Sequence, residues 1–209
     1  MSVLNRIAYF QNRRDEVPNQ ELARELAESR NSAGVHEIAE NLWNKDRNVA
    51  NDCIKVLYEI GYLAPELIAE YVGDFLKLMT SRNNRMVWGA MLALATIAAL
   101  KADEIYPHVE EIEKVMESGS VITVDNGVKI LAIVASKSET YRARVFPYLL
   151  DHLVTCRPKD VPQHSEKALV AVAASNKAEF IAVLQKRMVD LQGTQVSRVK
   201  KVIREAEKH

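Results

Sequence analysis

The stretch Val87-Trp88-Gly89-Ala90-Met91-Leu92-Ala93-Leu94-Ala95-Thr96-Ile97-Ala98 decides the fold. Val87, Ala90, Ala93, Leu94 and Ile97 fall at steps 0, +3, +6, +7 and +10, one wide face of a 3.6-residue helix. The same steps recur 37 residues earlier at Ala50, Cys53, Val56, Leu57 and Ile60, and 37 residues later at Val124, Gly127, Ile130, Leu131 and Val134. A fourth copy, 39 further on, reads Gln163, Glu166, Leu169, Val170, Ala173 and Ala174, with a polar first turn. A fifth, 33 beyond that, reads Val196, Val199, Val202, Ile203 and Ala206. A period near 37 residues marks a chain of structural repeats.

A second helical pattern follows each of the first four copies, over Pro65 to Met79, Asp103 to Glu117, Tyr141 to Thr155 and Lys177 to Asp190. Pro65 suits a helix start, where the missing N–H costs nothing. Pro107 and Pro147 lie deeper, in the matched contexts Tyr106-Pro107-His108 and Phe146-Pro147-Tyr148, where proline either delays the regular helix or kinks it. Upstream, Pro18 to Ser29 and Ala33 to Trp43 predict a shorter pair, and Val3 to Phe10 a capping helix. A single hairpin of this size cannot bury its apolar stripe, whereas stacked hairpins share one core. The expected architecture is therefore all-α, a right-handed α-solenoid of about five hairpins in one domain over 1–209. It comprises N-terminal helices over 1–45, repeats at 46–82, 83–119, 120–160 and 161–192, and a C-terminal cap at 193–209.

Composition agrees. Apolar residues make up 48% and charged residues 27%, which excludes a disordered chain, and 7 Gly with 6 Pro is poor material for a turn-rich β-sandwich. The longest apolar run, Met86 to Leu100, falls short of the ~18 residues a membrane span needs, so no membrane partner is expected. Cys53 and Cys156 stand in no C-x-x-C or histidine-rich context, so both read as structural and neither a metal nor another cofactor is expected. The opening Met-Ser-Val-Leu-Asn-Arg-Ile lacks the order of a signal peptide, and a cytoplasmic location is expected.

The quoted stretch resembles the first helix of a HEAT repeat, and Phe146-Pro147-Tyr148-Leu149-Leu150-Asp151-His152-Leu153 the second. The resemblance spans most of Ala33 to His209 and lies in pattern more than in fixed residues. HEAT repeats often carry Arg at the +1 position. Here that row holds Asn51, Trp88, Asp125, His164 and Ser197, which frees it for another use. More distantly, the chain is similar in size and architecture to bacterial DNA alkylation-repair glycosylases built on HEAT-like repeats. That resemblance implies aromatic, acidic and basic side chains around damaged DNA, and Trp88, Asp125 and Arg85 are of those types.

Equivalent positions on successive layers lie a helix-packing distance apart, roughly 8–10 Å, so Asn51, Trp88, Asp125 and His164 are predicted to form a line near helix starts. Two readings stay open: a site for a flat or cationic ligand, or packing by Trp88 with Asp125 charging a helix start. No nucleophile elbow, phosphate loop or H-E-x-x-H is present, and no catalytic residue is assigned. His108 and Glu111 share a face at H-x-x-E spacing, and His152 stands beside Asp151, not one turn from it.

Charge is uneven. Residues 1–121 carry 13 basic and 19 acidic side chains, net −6, and 122–209 carry 15 and 9, net +6. Arg142, Arg144, Lys186 and Arg187 are placed on a basic strip leading to the C-terminus. The leading expectation is a non-enzymatic scaffold that binds another protein or peptide on the curved surface of its second helices. Asp74, His108, Glu111, Arg144 and Tyr148 are among its contacts, with Glu70, Lys77, Lys114 and Asp151. The alternative is a nucleic-acid-binding protein of the glycosylase kind.

Overall fold

In the computed structural model, which describes residues 2–209, the described chain is helical throughout and contains no strand. It divides into two compact units, Met1–Val124 and Asp125–His209.

In the first unit, α1 (Val17–Glu28) and α2 (Ser32–Glu40) form the short leading pair. Next come α3 (Arg47–Leu63), α4 (Val72–Leu78), α5 (Asn84–Ile97), α6 (Ala102–Ile105) and α7 (Val109–Glu117). Asn31, Asp46 and Asn83 cap α2, α3 and α5, each side chain accepting from a backbone N–H of the first turn that has no helical partner. The first helices stack in sequence order: α1 packs on α3, and α3 on α5. The face read from periodicity is the buried one, and Cys53, Val56, Leu57, Ile60, Ala93, Leu94 and Ile97 are fully buried. Glycine allows the close approach of α3 and α5: a Cβ on Gly89 would stand 2.7 Å from Ile54 Cγ1.

Helix α8 (Val121–Ser136) crosses from one unit to the other. The second unit continues with α9 (Glu139–Thr155), α10 (Val161–Ala168), α11 (Lys177–Arg187) and α12 (Thr194–Ala206). Here α9 packs on α10 and α11, while α12 packs on α10 and α11. Gly193, at φ +52°, sets the turn into α12, in backbone space that a side chain would strain.

Several local expectations are corrected. Val3 to Phe10 makes a single 3-10 turn, Leu4–Arg6. The second helix of the first clean repeat is fragmented, with 3-10 turns at Pro65–Leu67 and Ala69–Tyr71 before α4. The matched prolines behave differently. Pro107 sits in a 3-10 break, Tyr106–His108, that delays α7, whereas Pro147 lies inside the continuous α9. The fourth copy stops early, at the 3-10 turn Leu169–Ala171. The Asn176 side chain closes that turn, accepting from the Ala173 N–H at 2.8 Å and donating to the Ala171 carbonyl at 3.2 Å, so Ala173 and Ala174 fall outside the helix.

Candidate functional site

The residues proposed from sequence separate into two places. In the first unit, the cap of α5 meets the second turn of α3: Asn83 Nδ2 donates to Asn51 Oδ1 at 2.7 Å. With one lone pair of its oxygen taken, Asn51 retains the other lone pair and its amide NH2. Asn51 and Arg85 line an open cavity of about 430 Å³, together with Asn12, Asn48, Asp15, Glu16 and Asp52. Arg85 NH2 lies 3.1 Å from Glu16, and its Nε is buried without a hydrogen-bond partner. The same Glu16 reaches the buried Lys55 at 2.8 Å, and Glu59 reaches it at 2.6 Å. Burial disfavours the charge on Lys55, but these two carboxylates outweigh it and hold the ammonium above its ordinary pKa.

Trp88 does not line this cavity. Its ring packs tilted against Tyr58, centroids 6.1 Å apart, with the Arg85 guanidinium 5.8 Å from its centre. Nearer the chain start, Trp43 is 53% exposed while its Nε1–H donates to Asp74 at 3.1 Å. Sequence reasoning named Asp74 and passed over Trp43. His108 and Glu111 are an exposed pair with 3.3 Å between Nδ1 and Oε2. Arg144 and Tyr148 are half-buried on α9.

The second place is in the second unit and joins two members of the +1 row. His164, on α10 and 1% exposed, donates from Nε2 to Asp125 Oδ1 at 2.8 Å. Gln163 holds the other carboxylate oxygen at 3.1 Å, and Lys167 donates to the Asp125 carbonyl at 2.7 Å. With its Nε2 proton engaged, neutral His164 presents a lone pair at Nδ1, which lies 2.9 Å from His152 Nε2. Burial, and then the neighbouring His164, push the His152 pKa down to about 4. Cys156 follows on the same face, one turn after His152. Burial pushes its thiol up, opposed by Arg187.

Two expectations are corrected here. Cys156, read as structural and outside any histidine-rich context, lies with His152 and His164 in a cluster whose donor atoms are all within 4.8 Å of one another. The spacing His152-x-x-x-Cys156 was the available signal, since residues four apart share a helix face. Arg187, placed on a basic strip, is instead 8% exposed and donates to the carbonyls of Leu153, Val154 and Cys156 at 2.6, 2.6 and 2.8 Å. It caps the end of α9, where carbonyls have no helical partner and the helix dipole favours a cation. Arg142 likewise spends its Nε on the Ala171 carbonyl, and Arg198 is paired with Glu166 at 2.7 Å.

Compared with models of protein families and with curated proteins, the chain matches none. Solved structures do match. A crystal structure of an engineered protein aligns with a TM-score of 0.68 at 20% identity, covering 100% of this chain and 98% of that one. A designed armadillo repeat protein in complex with the peptide (KR)4 aligns at 0.69 and 15% identity, covering 90% and 85%. A second designed armadillo repeat protein aligns at 0.68 and 13%, covering 97% and 99%. At such identities the likeness shows the fold, which is that of an armadillo-like helical-repeat solenoid. Among the described residues, no helix is long and apolar enough to cross a membrane.

Proposed function

We propose that this chain is a non-enzymatic binding module of HEAT-like helical hairpins that takes an extended, basic peptide segment of another protein. The observation that carries the reading is the cavity at the start of α3 and α5. Amide side chains there (Asn12, Asn48, Asn51) combine donors and acceptors of the kind an extended main chain needs. Arg13, Arg14 and Arg85 line the cavity too, and Asp15 is paired with Arg13 at 2.8 Å and Glu16 with Arg85 and Lys55, so Asp52 is the carboxylate there that meets a lysine or arginine side chain. The unit as a whole has the same sign: residues 1–124 carry 13 basic and 19 acidic side chains, net −6. Trp43, exposed and tethered to Asp74, offers an aromatic face to a cation on the same unit. A designed solenoid of similar fold is seen with (KR)4, which supports the choice of peptide.

The arginines that suggested a nucleic-acid surface do not favour that alternative, since Arg85 faces Glu16, Arg198 faces Glu166 and Arg187 is buried on carbonyls.

Fluorescence anisotropy with labelled (KR)4, a Gly/Ser peptide of equal length and a DNA duplex tests the reading at two salt concentrations. Binding of (KR)4 that weakens with salt and falls at least tenfold in Asn51→Ala/Asp52→Ala supports it. Equal affinity for the Gly/Ser peptide, indifference to the double substitution, or preference for the duplex would overturn it.

A further inference from the structure

We propose that His152, Cys156 and His164 in the second unit hold a divalent metal ion of the zinc class. Two imidazole nitrogens and one thiolate form a borderline-soft donor set of the kind zinc takes, and one that magnesium and calcium do not. A tetrahedral zinc, with nitrogens at about 2.0–2.1 Å and sulfur at about 2.3 Å, spaces its donors roughly 3.3 to 3.6 Å apart. Here the two nitrogens are 2.9 Å apart, and no pair among the three donor atoms exceeds 4.8 Å. Small side-chain shifts convert one arrangement into the other.

Three features go beyond proximity. First, His152 lies in the last turn of α9 and Cys156 is its C-cap, whose N–H donates to the His152 carbonyl at 2.8 Å, so their spacing is set by the helix end. The loop they lead into is held by Arg187 on the Cys156 carbonyl at 2.8 Å. Second, Asp125 accepts the Nε2 proton of His164 and thereby directs the Nδ1 lone pair at the cluster. A carboxylate behind a ligating imidazole fixes its tautomer and orientation and raises its basicity. Asp125 is itself held by Gln163, so the orienting group is anchored. Third, His164 is buried whereas His152 and Cys156 are partly exposed, which leaves the ion a way in. The thiol makes a long contact, 3.8 Å, to the Leu153 carbonyl and has the Arg187 guanidinium beside it.

The protons balance simply. His152 moves its Nε2 proton to Nδ1 and stays neutral. Cys156 loses its thiol proton to solvent as the metal–sulfur bond forms, so one proton is released for each ion bound. Three protein ligands leave a fourth position for water, the arrangement of an open rather than a closed zinc site.

Cobalt(II) serves as the spectroscopic probe. The full chain, stripped with chelator, is titrated with cobalt, followed by displacement with zinc. The expected result is one equivalent bound, with the visible bands of a tetrahedral ion and a near-ultraviolet sulfur-to-cobalt charge-transfer band, all lost when zinc is added. Cys156→Ser removes the charge-transfer band, and His152→Gln weakens binding at least tenfold. Asp125→Asn keeps the band and weakens binding about 10–100-fold, as loss of an orienting carboxylate does. Circular dichroism confirms that each variant is folded, and the intact chain alone decides the matter if one is not. Less than half an equivalent bound by the intact chain, a charge-transfer band that survives Cys156→Ser, or a band that depends on the buried Cys53 would overturn the proposal.

Discussion

His164 and Asp125 are hydrogen-bonded at 2.8 Å across 39 residues of sequence, each at the second position of its repeat's apolar pattern. Stacking in register turns a sequence period into a contact. The carboxylate leaves His164 with a defined tautomer, and His164 passes that constraint to His152. A buried imidazole without such partners would be costly, since desolvated polar groups are stable only when paired. Asp125→Ala should therefore destabilise the chain by about 1–3 kcal/mol. Asp125→Asn, which keeps an acceptor, should cost less. Urea melts of the two variants beside the parent check the order, and an Asn variant as unstable as the Ala variant would contradict it.

Arg187 invites a sharper test because three of its four partners are main-chain carbonyls, the fourth being the Asp190 carboxylate at 2.9 Å. Arg187→Met keeps the apolar stem but leaves the Leu153, Val154 and Cys156 carbonyls without their donor. The expected loss is about 2–4 kcal/mol, since a buried charged hydrogen-bond network is being broken. Arg187→Lys, a point charge in place of a fork, should recover only part of it. Full recovery by lysine would show that charge alone matters there.

Gly89 and Ile54 should be coupled. The methyl of Gly89→Ala meets Ile54 Cγ1 at 2.7 Å, an overlap worth about 1–3 kcal/mol that exceeds the ~1 kcal/mol alanine gains in a helix. Ile54→Ala alone opens a cavity at a cost of about 2–5 kcal/mol. In the Gly89→Ala background the same change relieves the clash, so it should cost at least about 1 kcal/mol less. Additive free energies in the double-mutant cycle would refute this account of helix spacing.

Ala93 is fully buried on the stacking face of α5. Ala93→Asp places an unpaired carboxylate there and should abolish cooperative unfolding of the first unit or shift it far down in temperature. Thermal melts followed by circular dichroism read this directly, and a melting temperature near the parent's would contradict the core assignment.

The acid limb of stability should report His152. Its pKa in the folded chain is about 4, against 6.5 as the ordinary value, so folding favours the neutral ring. That contribution is complete above pH 6.5 and is lost as pH falls towards 4, when the unfolded chain takes up the proton first. The expected loss is on the order of 2 kcal/mol, reduced where solvent reaches the ring. His152→Gln, measured in chelator, should flatten this part of the profile, and an unchanged slope between pH 6.5 and 4 would assign the acid sensitivity to other groups.

Much of the helical plan was open to reading along the chain. The apolar steps of α3 and α5 named the side chains that are buried, because a helix with one wet face must repeat its apolar residues every 3.6 positions. The contact of Asp125 with His164 followed from register. Cys156 was within reach too, since His152 lies four residues before it, but His164 enters from another helix and only its arrival makes the pair a cluster. Arg187 was misplaced for a different reason. A charged residue on a polar segment looks the same whether it meets water or carbonyl oxygens.

The amino-acid sequence by itself determined that the chain is helical, roughly where its repeats begin and which face of each first helix is apolar, because periodicity is a local property written residue by residue. Tertiary structure alone decided that Pro107 interrupts its helix while Pro147 does not, that Asn51 accepts from Asn83, and that two histidines and a cysteine converge beside Asp125. These outcomes depend on which distant groups remain to satisfy each buried donor and acceptor, and that is set only when the helices have packed.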